Sequence, residues 1–266
     1  MLRSLFTGIS GLRAHQQMLD VTSNNIANVN TTGFKSASTV FEDTLSQTIM
    51  GATAATATQG GHNPVQVGLG VTLGATEQNF GQGSAQYTGR TSDLMIQGDG
   101  FFVVNNNGAQ NFTRGGSFQL DTNGHLVTPD GSILQSAAGG NLDVTGLTTG
   151  AYVSWSIDAN GQVNAVDAAG ATTTLGQIAM ATFANPGGLS KIGDTQFQAT
   201  TSSGGAQIGT ANTGSRGSIT SGYLEMSNVD LATELTNLII AERGYQANSR
   251  VVTTSDEILQ SLIQLK

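Results

Sequence analysis

Leu2, Leu5, Ile9, Leu12, Gln16, Leu19, Ser23 and Ile26 recur at alternating intervals of three and four. That spacing keeps one stripe on one side of a helix. Leu5, Leu12, Leu19 and Ile26 make one heptad series wholly apolar, while the other series turns polar at Gln16 and Ser23. Gly8 and Gly11 lie inside the pattern, each less favourable than Ala by about 1 kcal/mol. Gly33 is expected to end the helix in a left-handed conformation. The far end of the chain answers this pattern. Asn228 or Asp230 can cap a helix running from about Leu231 to Leu265. Its apolar stripe is Leu231, Leu235, Leu238, Tyr245, Val252, Leu259 and Leu262, interrupted by Glu242, Ser249 and Asp256. Two such helices most economically pair with each other. A pair still leaves apolar faces open, and open faces of that size mark interaction surfaces. Neighbouring copies are the expected occupants, in a ring or a helical assembly.

The middle of the chain has a different period. Runs such as FFVV, SFQL, HLVT, VSWSI, QVNAV and QIAMATF have the length and residue types of strands. DTNG at 121–124, PDGS at 129–132 and DANG at 158–161 are turn signals between them. The expected fold is therefore α+β: long N- and C-terminal helices paired as a coiled-coil-like helical domain, with an inserted antiparallel β domain. The expected boundaries are 1–35 and 225–266 for the helical domain, 36–70 for a bridge and 71–224 for the β domain. The bridge contains a short amphipathic piece, FEDTLSQTI, and the low-complexity GATAATATQGGHN, which cannot bury enough apolar surface to fold alone.

Composition narrows the function. The 266 residues contain no cysteine, so disulfide and thiolate chemistry are absent. Charged residues make up 11% of the chain, under half the ~25% usual in globular proteins. A net charge of −8, with ten basic residues scattered along the chain, argues against a nucleic-acid surface. No apolar run approaches the roughly 18 residues of a membrane span, so no membrane insertion is expected, and MLRSLFTGISGLRAHQQ lacks the pattern of a cleaved signal.

No catalytic, cofactor or metal site is expected. GLGVTLG at 68–74 lacks dinucleotide-loop spacing, and DTNGHLVTPDGS lacks the glycine and glutamate of a calcium loop. His15, His62 and His125 fall in three different segments, and no nucleophile elbow is present. Low charge weakens the usual protection against self-association. That is a hazard for a dispersed enzyme and is expected of a polymer subunit.

Several stretches carry a family resemblance. MLRSLFTGISGL and LDVTSNNIANVNTTGFK resemble the N-terminal signature of bacterial flagellar rod and hook subunits. SGYLEMSNVDLATELTNLIIAERGYQANSRVVTTSDEILQSL resembles the matching C-terminal signature, and DLMIQGDGFFVV with FTRGGSFQLDTNGHLVTPDG resembles the family's central β domain. Gln246-Ala247 makes the C-terminal stretch most similar to a short hook subunit, with the distal rod as the alternative. The resemblance implies a homopolymeric tube outside the cytoplasmic membrane, with the helices lining an export channel and the β domain as an outer layer. It implies contacts with adjoining rod, hook-cap and hook–filament junction proteins. It also implies passage through the flagellar type III export apparatus without cleavage. For a hook it further implies sliding between subunits, to which a neutral polar surface is suited.

The candidate interface residues are Leu5, Ile9, Leu12, Leu19, Ile26, Leu235, Leu238, Arg243, Tyr245, Val252, Leu259 and Leu262 on the helices. Asn24, Asn25, Asn28, Gly33 and Phe34 join them at the exit of the first helix. Asparagine is a poor helix former. The cluster Asn24, Asn25, Asn28 and Asn30 can instead offer uncharged donors and acceptors to neighbours. Phe41 and Leu45 resemble the Phe-x-x-x-hydrophobic element read by the export gate; read from the residues alone, they form an i, i+4 pair on one helical turn. Phe41→Ala is expected to reduce export of the subunit to a small fraction of wild type. Immunoblotting of culture supernatants reads this, and undiminished secretion would remove the export role.

Overall fold

A computed structural model describes residues 2–56, 60–147 and 150–264, with the side chain of Leu2 excepted. Leu265, the expected last residue of the second helix, and part of the low-complexity run lie outside the described residues. The chain forms two compact units. One holds the residues up to Ala27, Ala37–Gln78 and everything from Asp230 on; the other holds Asn28–Ser36 and Asn79–Val229.

In the helical unit, helix α1 spans Leu2–Ala27 and helix α2 spans Leu231–Gln264. Asp230 caps α2: its Oδ1 accepts the Ala232 N–H at 3.0 Å and its Oδ2 the Thr233 hydroxyl at 2.9 Å. These bonds hold the Asp230 carboxyl below its ordinary titration range. Asn228, the other candidate cap, instead accepts the Ser36 N–H within the β-rich unit.

Two expectations change here. α1 stops at Ala27, six residues short of Gly33, because successive turns begin at Asn28, whose carbonyl accepts the Thr31 N–H at 3.1 Å. The stretch around FEDTLSQTI is extended rather than helical. Strand Ala37–Asp43 pairs antiparallel with Val71–Gln78, and Gln47–Met50 pairs with Val65–Val67. Val40, Phe41, Thr44 and Ile49 favour extended backbone, so pairing overrides the i, i+4 pattern. Residues 37–78 thus group with the helices.

In the β-rich unit every strand pairing among the described residues is antiparallel. The central strand, Phe101–Asn106, pairs with Ala109–Thr113 on one side and with Ile133–Leu134 and Met180–Thr182 on the other. It is buried on both faces, which is why FFVV reads as an unbroken apolar run. Phe102 and Val104 enter one core cluster with Leu94, Ile96, Phe118 and Met180. Phe101 and Val103 enter a second with Phe112, Leu189 and Phe197. Edge-to-face ring pairs lock both, Phe102 on Phe118 at 5.3 Å and Phe112 on Phe183 at 4.8 Å. The three turn signals sit between strands as expected. The Gly124 N–H donates to Asp121 O, Gly131 to Thr128 O and Gly161 to Asp158 O.

One polar cluster closes this unit. Glu225, at the end of strand Tyr223–Glu225, accepts Lys35 Nζ at 2.6 Å, Arg114 Nη1 at 3.3 Å and the Gly83 N–H at 2.9 Å. Its own carbonyl accepts the Gly33 N–H at 2.8 Å. The Lys35 and Glu225 side chains are both 0% exposed. Lys35 adds a bond to Gly81 O at 2.8 Å, and Arg114 one to Gly98 O at 2.8 Å. Desolvation draws both cations below their ordinary titration ranges, and Glu225 opposes that pull. Gly33 has φ +71 and lies against the backbone of Gly115, so the segment leaving α1 turns into this cluster where a Cβ would not fit. Removing the anion strands two buried cations. Glu225→Gln is expected to cost the β-rich unit about 3–5 kcal/mol, read by denaturant unfolding. Adding Lys35→Met should recover part of the loss, since one stranded cation is then gone.

Candidate assembly interface

α1 and α2 run antiparallel: the Ser4 hydroxyl meets the Ser255 hydroxyl at 3.3 Å, and Asn25 Nδ2 meets Glu234 Oε1 at 3.1 Å. Between these ends the close contacts follow small residues. A Cβ on Gly8 would lie 3.1 Å from Val252 Cγ2, and one on Gly11 would lie 2.7 Å from Asn248 Oδ1. Gly244 faces the His15 ring, with the Nδ1 position 2.8 Å from where its Cβ would stand. Ala14, Ala241 and Ser255 are buried. The contact row on α1 is therefore Ser4, Gly8, Gly11, His15 and Asn25, one residue displaced from most of the leucine series. Small side chains let two backbones approach closely, so the glycines that cost helix propensity are the ones that allow the pairing.

The large apolar residues flank this row. Leu5, Leu12, Leu19, Ile26, Leu238, Val252 and Leu259 are half-buried. Ile9, Leu235, Tyr245 and Leu262 are exposed, as are Phe6, Ile239, Ile240, Val251, Ile258 and Ile263. Arg243 is exposed beside Glu242, whose Oε1 accepts from Gln246 rather than from a cation. The sequence stripe did not include Phe6, Ile239, Ile240 or Ile258. For Phe6 and Ile239 the signal was present, since they follow Leu2 and Leu235 at a spacing of four; Ile240 and Ile258 follow no stripe member at helical spacing.

The asparagine cluster divides by role. Asn25 is 2% exposed and makes its bonds inside the chain: Nδ2 donates to Ala37 O at 2.7 Å, and Oδ1 accepts the Ala37 N–H at 3.1 Å. Asn28 Oδ1 accepts the Thr31 hydroxyl at 3.1 Å in the first turn after α1. Asn24 and Asn30 are exposed. Gly33 and Phe34 are buried in the β-rich unit, with Lys191 Nζ 4.1 Å above the Phe34 ring. Phe41 sits in strand register with Leu73 and 6.1 Å from the His15 ring, whereas Leu45 is 85% exposed and does not pack on it.

The sequence reading missed the Lys35–Glu225–Arg114 cluster altogether. Lys35 and Glu225 lie inside the two signature stretches, and an isolated charge among small and apolar residues in a chain this poor in charge was the available signal. Among the described residues no group of His, Asp and Glu could hold a metal, and no helix is long and apolar enough to cross a membrane.

Comparison with known proteins accounts for this architecture. Residues 5–35 match the family described as flagella basal body rod protein, residues 95–165 the flagellar hook protein FlgE/F/G D1 domain, and residues 220–265 the flagellar basal body rod FlgEFG protein C-terminal region. The flagellar basal-body rod protein FlgG of Bacillus subtilis is 48% identical over 267 residues, covering both chains completely. The protein of the same name from Borreliella burgdorferi is 38% identical over 273 residues, spanning all of this chain and 99% of its own. The flagellar hook protein FlgE of Borreliella burgdorferi is 28% identical over an alignment of 441 residues that covers both chains.

The molecule is thus of the structural class, a flagellar protein of the basal-body rod or hook type rather than of an enzyme family. The chain belongs to the flagellar rod and hook protein family.

Asn25 generates a direct test. Asn25→Ala leaves the Ala37 N–H and C=O, in a half-buried site, without their side-chain partner, at an expected cost of about 1 kcal/mol. Amide hydrogen exchange at Ala37 should accelerate accordingly; unchanged protection would show that the side chain does not hold this strand.

Proposed function

We propose that the chain is a subunit of the distal rod, polymerising into a helical tube that serves as the drive shaft of the flagellar basal body. The observation that carries this reading is the full-length 48% identity to a basal-body rod protein, against 28% to a hook protein whose alignment extends over 441 positions. The hook, expected from the C-terminal stretch around Gln246-Ala247 and Ile258, gives way: one helical segment weighs less than likeness along both whole chains. The sliding interface argued for a hook goes with it.

In this reading α1 and α2 form a coiled-coil-like inner layer completed by the helices of adjoining copies, and the β-rich unit forms the outer layer. Exposed Ile9, Leu235, Tyr245 and Leu262 support that reading, because apolar faces in water favour burial against a partner. Adjoining rod and hook proteins would contact the ends of the tube, and the type III export apparatus would deliver the subunit. Deletion in the native cell, with basal bodies imaged by electron microscopy, tests the assignment. Truncated rods lacking their distal segment are expected; full-length rods that lack only hooks would overturn it.

A further inference from the structure

The ion pairs among the described residues, Lys35–Glu225, Arg114–Glu225 and Arg90–Asp93, all lie in the β-rich unit. The two helices carry charge without pairing it. Arg3 stands in the first turn of α1, which has no acidic residue, and the last turn of α2 has no basic one. A cation at a helix N-terminus faces the partial positive charge of unpaired N–H groups. Arg3 is therefore set against its own helix. The Ser4–Ser255 contact puts Arg3 level with Asp256 and Glu257, and all three side chains are exposed. No ion pair joins them within the chain. Among the described residues Asp256 accepts only the side-chain amide of its helix neighbour Gln260, at 2.9 Å.

We propose that Arg3 of one copy pairs with Asp256 and Glu257 of a second copy lying beside it. The inference rests on the tube reading and specifies one of its contacts. Because α1 and α2 are antiparallel, the cationic start of α1 and the acidic stretch of α2 lie at the same end of the helical unit. Copies set side by side in the same orientation then bring opposite charges together at one height. The occupant is another copy because, at this end of the helical unit, residues 2–12 of α1 carry Arg3 as their one charge and residues 251–264 of α2 carry only Asp256 and Glu257. Phe6, 68% exposed within a turn of Arg3, and Ile258, 52% exposed beside Glu257, would cover the pair on assembly. Excluding water strengthens the attraction beyond the ~0–1 kcal/mol of an exposed pair.

The absence of native cysteine allows a direct readout. Arg3→Cys and Asp256→Cys are combined in the full-length chain, expressed in place of the native copy. Basal bodies are oxidised and run on non-reducing gels. A ladder of covalent multimers is expected, reverting to monomer on reduction, with each single variant giving dimers at most. A link confined to the monomer, or none in well-assembled particles, overturns the pairing. Charge reversal covers the case in which the cysteines perturb assembly. Arg3→Glu, and Asp256→Lys with Glu257→Lys, should each reduce rod assembly about tenfold, equivalent to ~1.4 kcal/mol, and the three changes together should restore it. Normal assembly of both reversed proteins, no rescue on combination, or a defect confined to secreted amount overturns the proposal. These readouts concern contacts between copies, so they are distinct from the deletion phenotype that decides whether the tube is the distal rod.

Discussion

Glu225 receives an ammonium, a guanidinium and a backbone N–H at a site closed to water. A carboxylate in that position is tolerable only because its partners neutralise it and occupy its lone pairs. The same need works in reverse on Lys35 and Arg114. The cluster therefore ties three separate stretches of the β-rich unit to one geometry: the segment leaving α1, the strand-end at Arg114 and the returning strand that precedes α2. In a chain with 11% charged residues, placing three of them in one dry site is a costly arrangement unless position matters. Removing Glu225 leaves both cations uncompensated, so the entry and exit of the β-rich unit are fixed together through it.

The helical unit is built on the opposite principle. Its contact row uses hydroxyls, glycines, His15 and the asparagines Asn25 and Asn248, and its large apolar side chains stand to either side. Close backbone approach at Gly8, Gly11 and Gly244 stabilises the pair by dispersion and packing, while leaving Phe6, Ile9, Ile239, Ile240 and Leu262 in solvent. A monomer so made leaves much of its apolar helix surface unburied. A subunit so made is completed by its neighbours, in keeping with a family whose members are structural parts of the flagellar axis.

Much of the fold was legible in local patterns. Period-3.5 spacing revealed both helices, and Asn228 or Asp230 marked the start of the second, the structure deciding for Asp230. FFVV read as a strand, and Asp-Gly and Asn-Gly turns separated the hairpins. Residues 37–78 were harder, because Phe41 and Leu45 suit a helical turn as well as a strand; pairing of Ala37–Asp43 with Val71–Gln78 decided between them. Of the candidate interface, the flanking leucines were readable, but the contact row was not. A glycine in a helix reads as a weakness until the partner it admits is known.

What the sequence determined by itself was periodicity, turn chemistry and the signature stretches of the family, all properties of neighbouring residues. Which face of α1 meets α2, and where Asn25 spends its amide, depended on contacts 209 residues apart in the chain. The burial of Lys35 beside Glu225, 190 residues away, did so as well. Only the tertiary structure could decide these, because the cost of desolvating a charge and the gain from pairing it are set by what surrounds it in space.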